Sequence, residues 1–323
     1  MPFRASFDCL WCGTAHDTRG PDDVEGWAQL CPTCVGKAGD NGFLRFRLRQ
    51  ALTKRGAVAA SAAAPGTASG TTAATATAAG TASGTTATAA TATAPASAAS
   101  DDMVAYYEAR APEYDDWYLR RGRYARGAIH DAAWDAELDM AGRWLDAQPF
   151  QGRIVELAAG TGWWSPLLAA KGELTMTDAA PTPLDRARER LLAHRLRAHL
   201  HVRDAWAEPE PPPADGLFTG FWLSHVERAR LDEFLALAGR WLVPGGRFAF
   251  IDSLEDPASG AADHPPPAGD RAVRRLADGR EFAIVKVYYS ADELADGLRR
   301  AGFTDIDVTT TGRFFVLGSA RRP

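Results

Sequence analysis

The chain has 323 residues, 46% of them hydrophobic, with ten Trp and fourteen Phe and a formal net charge of −5. A sizeable core can form from such material, but the balance is too acidic to draw nucleic acid or anionic membrane without a local basic patch. No run approaches the ~18 apolar residues of a membrane span, and the opening MPFRASFDCL lacks a signal peptide's apolar stretch, so a cytosolic protein is expected.

All four cysteines stand near the start of the chain, in the pattern Cys9-x2-Cys12-x18-Cys31-x2-Cys34. In a reducing compartment two such knuckles, each followed closely by Gly, suit one tetrahedral Zn²⁺ better than two disulfides. Four thiolates leave no open coordination position, so the zinc would be structural, and His16 is a spare loop residue. The expectation is a zinc-ribbon module over 1–56, with a possible protein partner. The basic stretch FLRFRLRQALTKR (43–55) reads either as a solvated helix packed by Phe43, Phe46 and Leu48 or as a handle for an acidic partner.

Residues 57–100 are almost only Ala, Thr, Gly and Ser, carry no charge, and repeat GTASGTTA at 66–73 and 80–87. Without large apolar side chains the segment cannot offset its ordering entropy, so a disordered tether is expected. The stretch 1–56 holds 8 basic and 6 acidic side chains, which leaves 28 basic against 35 acidic, or −7, on 101–323.

That larger region alternates. Trp134, Leu138, Ala141 and Leu145 make one helical face in 131–147; RIVEL (153–157) reads as a strand and WSPLLAAKG as the next helix. ELTMTD (173–178), HLHVRD (199–204), GLFTGFWL (216–223) and RFAFID (247–252) read as further strands. Helices around Leu184–Leu192 and over 229–242 lie between them, the latter stopped at Pro244-Gly245-Gly246. FTDIDVTT (303–310) and RFFVLGSA (313–320) flank Thr311-Gly312 as an antiparallel hairpin. The expected fold is α/β, a Rossmann-like doubly wound, mostly parallel seven-stranded sheet closed by that hairpin.

The first strand runs into VELAAGTGWW (155–164). A phosphate-binding P-loop would need GxxxxGK with Ser or Thr, and no such Lys exists here. A dinucleotide fingerprint would need a third glycine where Ser165 stands, and the Glu156 carboxylate beside the turn suits a cationic ligand better than a pyrophosphate. A plain dinucleotide-binding domain stays open on this loop alone, as do solvated strand-end roles for Glu156 and Asp178.

VELAAGTG resembles the first motif of the class I S-adenosylmethionine-dependent methyltransferases, with Ala158 in place of the usual first glycine. Asp178, at the end of the second strand, stands where that family places an acid on the ribose hydroxyls, and Asp204 where it places one on the adenine amino group. GFWLSHV and LVPGGRFAFIDS match the later landmarks, so the resemblance spans 101–323. It implies a methyltransferase whose cofactor, S-adenosylmethionine, is held by Glu156, Ala158, Gly160, Thr161, Gly162, Asp178, Ala179, Asp204, Ala205, Trp206 and Phe221. It also implies an N-terminal helix closing over the cofactor, with Tyr106, Tyr107, Tyr114 and Trp117 as lid candidates, though aromatic stripes also pack cores.

GFWLSHVER ends the fourth strand, where open sheets place their ligands, and lacks the motif of enzymes that methylate exocyclic base amines. His225 is the side chain there suited to take a proton near neutral pH, with a structural role as the alternative. The Pro-, Asp- and Arg-rich stretch 253–281 is expected to shape the substrate pocket. The acidic domain and these features favour a small organic acceptor over nucleic acid.

Overall fold

The computed structural model describes residues 6–8, 15–17, 101–265 and 268–323. In the N-terminal region β1 (Ser6–Asp8) pairs antiparallel with β2 (Ala15–Asp17). Cys9, Cys12, Cys31, Cys34, the stretch 43–55 and the tether expected over 57–100 lie outside the described residues.

From residue 101 the chain begins with α1 (Asp101–Arg110), a single turn over Ala111–Glu113, and α2 (Tyr114–Tyr118). The aromatic-rich segment is therefore a broken helix, interrupted where Pro112 removes a backbone donor. α3 (Ala128–Ala147) buries Trp134, Leu138, Ala141 and Leu145, the face expected from the 3.6-residue period.

Then come β3 (Arg153–Leu157), α4 (Ser165–Ala169), β4 (Glu173–Asp178), α5 (Pro181–Ala193), β5 (His199–Val202) and β6 (Ala214–Gly220). α6 (Leu231–Trp241) buries Leu231, Phe234, Leu235, Ala238 and Trp241 and is followed at once by β7 (Leu242–Ser253). Two expected bounds shift here. The third strand stops at Val202, short of Asp204, and the helix expected over 229–242 begins at Leu231.

The stretch 253–281 is more than a loop. Its end forms β8 (Arg271–Arg275), which pairs antiparallel with β9 (Glu281–Val285). The chain closes with α7 (Ala291–Arg300), opened by a Ser290/Glu293 capping box, then β10 (Thr304–Thr310) and β11 (Phe315–Arg321).

The main sheet has seven strands in the order β10-β11-β7-β6-β3-β4-β5. β3, β4, β5, β6 and β7 pair in parallel, and β11 inserts antiparallel between β10 and β7. β4 lies on one side of β3 and β6 on the other, so the strand order reverses there. Ligands of open α/β sheets bind in the crevice beyond the carboxyl ends of strands at such a point.

Candidate active site

A cavity with about 550 Å³ of empty space, part of it open to solvent, lies beyond the carboxyl ends of β3, β4 and β6. Ala158, Gly160, Asp178, Ala179, Asp204, Ala205 and Phe221 line it, seven of the residues that the sequence marked for the cofactor. Asp178 shapes the loop as well as the wall. One oxygen accepts from Gly160 N at 2.8 Å and the other from Ala180 N at 2.9 Å. Burial is the main cause that raises its carboxyl to about 6, and those two backbone donors pull it back down.

The loop keeps its shape through backbone that most residues avoid. Ala158 stands at φ +51° and Phe221, at the end of β6, at φ +62°. Both are non-glycine residues in the left-handed region, the kind of strain that clusters at ligand sites. At Gly160 an added Cβ would come within 3.1 Å of the Tyr114 hydroxyl, so a side chain here would press on the cap.

Four expected cofactor residues do not line the cavity. Glu156 is 1% exposed and accepts from Ser165 Oγ at 2.6 Å beneath the loop; burial raises it to about 8. Its position beside the turn in sequence says nothing of which side of the strand the carboxyl takes, and it is buried on Ser165 rather than in the cavity wall. The Thr161 hydroxyl donates to Asp115 at 2.7 Å, and Asp115 also pairs with Arg190, which ties α2 to the loop and to α5. Gly162 allows close packing against α5, where a Cβ would meet Ala187 at 2.8 Å. Trp206 packs edge-on to Phe234 at 5.2 Å under the Arg230 guanidinium; its backbone N–H, by contrast, donates to Asp204 at 2.9 Å.

A second cavity, about 580 Å³, adjoins the first and shares Tyr107, Tyr114, Phe221 and His225 with it. Tyr106 and Trp117 line this second space, so the four lid candidates stand at one cavity or both. Trp163 and Trp164 are core residues; Trp163 stacks on Tyr118 with centroids 4.1 Å apart. Sequence reasoning missed Arg110, Tyr124, Arg274, Lys286 and Tyr288, which also line the second cavity. The one available signal was the position of 253–281 after the fifth strand, and it could not say which side chains turn inward.

His225 ends a short turn over Leu223–His225. Its Nδ1 lies 2.6 Å from the Val285 carbonyl, which can only accept, so Nδ1 carries the proton. Nε2 then accepts from the Tyr107 hydroxyl at 2.6 Å. Burial first, and the Lys286 ammonium second, push His225 down to about 3. The expected proton acceptor near neutral pH is therefore a weakly basic, neutral imidazole whose lone pair is engaged by Tyr107. Burial also lowers Lys286, to about 8.

A family profile described as a methyltransferase domain matches residues 154–246. Two solved structures of DhpI align over 69% of this chain: its complex with SAH, at 27% identity, TM-score 0.54 and 96% of that chain, and its complex with SAM and HEP, at 28%, 0.54 and 97%. The fold is that of a class I S-adenosylmethionine-dependent methyltransferase domain. No curated protein matches the chain.

The first cavity fits such a cofactor by its own chemistry. Two aspartates and no Lys or Arg line it, a pattern that suits a sulfonium and an ammonium and opposes a pyrophosphate. Among the described residues no group of three or more His, Cys, Asp or Glu could hold a metal, and no helix is long and apolar enough to cross a membrane.

Proposed function

We propose that residues 101–323 move a methyl group from S-adenosylmethionine to a small organic acceptor seated in the second cavity. The observation that carries this reading is the shared wall of Tyr107, Tyr114, Phe221 and His225, which joins a carboxylate-bearing strand-end cavity to a second one beside it. Asp178 would take the ribose hydroxyls and Asp204 the adenine amino group; Ala158, Gly160, Ala179 and Ala205 leave room, and Phe221 walls the reacting end. The bound donor supplies an already activated methyl carbon, so orientation is the protein's main contribution.

His225 in this reading is a positioning residue. Its Nδ1–H is anchored by Val285 O, so Nε2 fixes the Tyr107 hydroxyl between the two cavities. The Tyr107 oxygen can then accept from an acceptor's O–H or N–H while its own hydroxyl proton stays pointed at His225 Nε2. Titration calorimetry with S-adenosylhomocysteine, and transfer of labelled methyl from S-adenosylmethionine into a small-metabolite extract, test the proposal. A protein that binds NAD and not S-adenosylhomocysteine would overturn it.

The four cysteines carry a separate proposal, one structural Zn²⁺ per chain held by Cys9, Cys12, Cys31 and Cys34. Elemental analysis of protein purified without added metal checks it. Zinc that persists after Cys9→Ser with Cys31→Ser would rule the ribbon out.

A further inference from the structure

The second cavity collects positive charge that methyl transfer does not by itself require. Arg110, Arg274 and Lys286 all line it, and none of its lining residues is Asp or Glu. Arg110 is 8% exposed, and among the described residues no carboxylate lies within ion-pairing distance of it. Its Nε has no hydrogen-bond partner. The guanidinium rests 4.6 Å from the centre of the Tyr114 ring, with Tyr106, Tyr107 and Tyr124 within 5.9 Å. Ring faces offset part of the cost of burying a charge, yet a desolvated guanidinium still calls for an opposite charge.

A second buried arginine, whose Nε likewise lacks a hydrogen-bond partner, is satisfied at its other nitrogens. Arg120, 5% exposed, donates to Ser259 O at 3.1 Å and Ala258 O at 2.6 Å and lies 3.7 Å from Asp131. Among the described residues Arg110 has no equivalent carbonyl or carboxylate partners. Lys286, 9% exposed, reaches Ser224 Oγ at 2.9 Å and Ser253 Oγ at 3.4 Å, two hydroxyls for a group with three donors. Asp252, the acid acting on it, turns its oxygens to Ser224 N at 2.9 Å and Ser253 N at 2.7 Å. Arg274 arrives from β8, where its guanidinium donates to Val273 O at 3.3 Å and also hydrogen-bonds the Tyr288 side chain.

We infer that the acceptor bears a compact oxyanion, a carboxylate or a phosphoryl group, held between Arg110, Arg274 and Lys286. Two guanidinium forks present paired donors at the spacing of oxyanion oxygens, and the ammonium adds a point charge from β9's end. The anion supplies the counter-charge that Arg110 lacks. This inference rests on the methyltransferase reading, because it assigns the second cavity to the acceptor.

The test uses the full chain saturated with S-adenosylhomocysteine and titrated at low salt with inorganic phosphate and, separately, with acetate. At least one anion should bind at a single saturable site, phosphate alone marking a phosphoryl acceptor and acetate alone a carboxylate. Arg274→Gln, at the half-buried end of the cluster, should weaken that binding about tenfold or more through loss of a charge-assisted pair, with S-adenosylhomocysteine affinity unchanged. Arg110→Met should weaken it further if that variant folds. Turnover should follow the same rule, with acids methylated and their amides ignored. Binding of S-adenosylhomocysteine without either anion, or anion binding indifferent to Arg274→Gln, would overturn the inference alone. Failure to bind S-adenosylhomocysteine would remove the methyltransferase reading beneath it.

Discussion

The two adjoining cavities differ in origin and in charge. The first is built from strand ends and the turns after them, closed by Met103, Val104 and Tyr107 of α1 and Tyr114 of α2, and carries Asp178 and Asp204 with no Lys or Arg in its lining. The second is built by α1, α2 and the β8–β9 ribbon, and carries three cations with no acid. Only Tyr107, Tyr114, Phe221 and His225 belong to both. The contrast teaches that one part of the site is dictated by sheet topology, and the other by additions that topology leaves free. It also gives each side a ligand of opposite sign, a cationic donor against an anionic acceptor.

The largest effect that could break this division comes from Asp178. Asp178→Ala should weaken S-adenosylhomocysteine binding by about 2–4 kcal/mol, the scale of two hydrogen bonds to a charged group, by calorimetry. Because the carboxylate also holds Gly160 N and Ala180 N, Asp178→Asn should recover part of the loss. Equal loss of anion binding in Asp178→Ala would mean that the two cavities are not separate sites.

A somewhat smaller effect should isolate the shared wall. His225→Ala and Tyr107→Phe should each lower turnover by ~10²-fold at most while cofactor affinity holds, and the double variant should be little worse than either, since one group acts through the other. With His225 near 3, the wild-type profile should show no histidine limb between pH 5 and 8. Fully additive losses, or a limb near pH 6.5 that vanishes in His225→Ala, would restore His225 as an independent base.

Glu156 tests whether the loop's underside belongs to the fold rather than the ligand. Its carboxyl stands near 8 in the folded chain against an ordinary value of 4.5. The folded state therefore holds the proton more tightly than the unfolded one, so this group's stabilising contribution is complete below pH 4.5 and is lost as pH rises towards 8. Glu156→Gln should match wild type in melting temperature near pH 4.5 and exceed it at pH 8 by the equivalent of at most about 4 kcal/mol, with cofactor affinity unchanged. A large loss of affinity would return Glu156 to the cofactor.

The smallest effect concerns Ala158 at φ +51°. Ala158→Gly should relieve about 1 kcal/mol of left-handed strain, offset in part by glycine's greater freedom when unfolded. Thermal unfolding measures it, and a destabilised variant would mean that the alanine methyl is needed in the cavity wall.

The sequence by itself determined the sheet and the first cavity's framework. Alternating apolar runs and helical periods placed β3, β4, β6 and β7, the turn at Thr311-Gly312 placed the hairpin, and the motif resemblance put Asp178, Asp204, Ala158 and Gly160 at one crevice beyond the strand ends. These features are legible because they depend on local periodicity and on the fixed rule that parallel strands present their carboxyl ends together. Tertiary structure alone decided the direction each side chain faces. Glu156 sits within a strand-end motif but turns beneath the loop to Ser165, and Thr161 reaches back to Asp115 on α2. It also decided the second cavity, where Arg110 on α1 meets Arg274 on β8 and Lys286 just after β9, from opposite ends of the domain's sequence. No local pattern encodes that convergence, because it follows from how α1 and the β8–β9 ribbon pack beside the same turn after β6. Its physical mark, a buried cation without a counter-charge, exists only once the chain has folded.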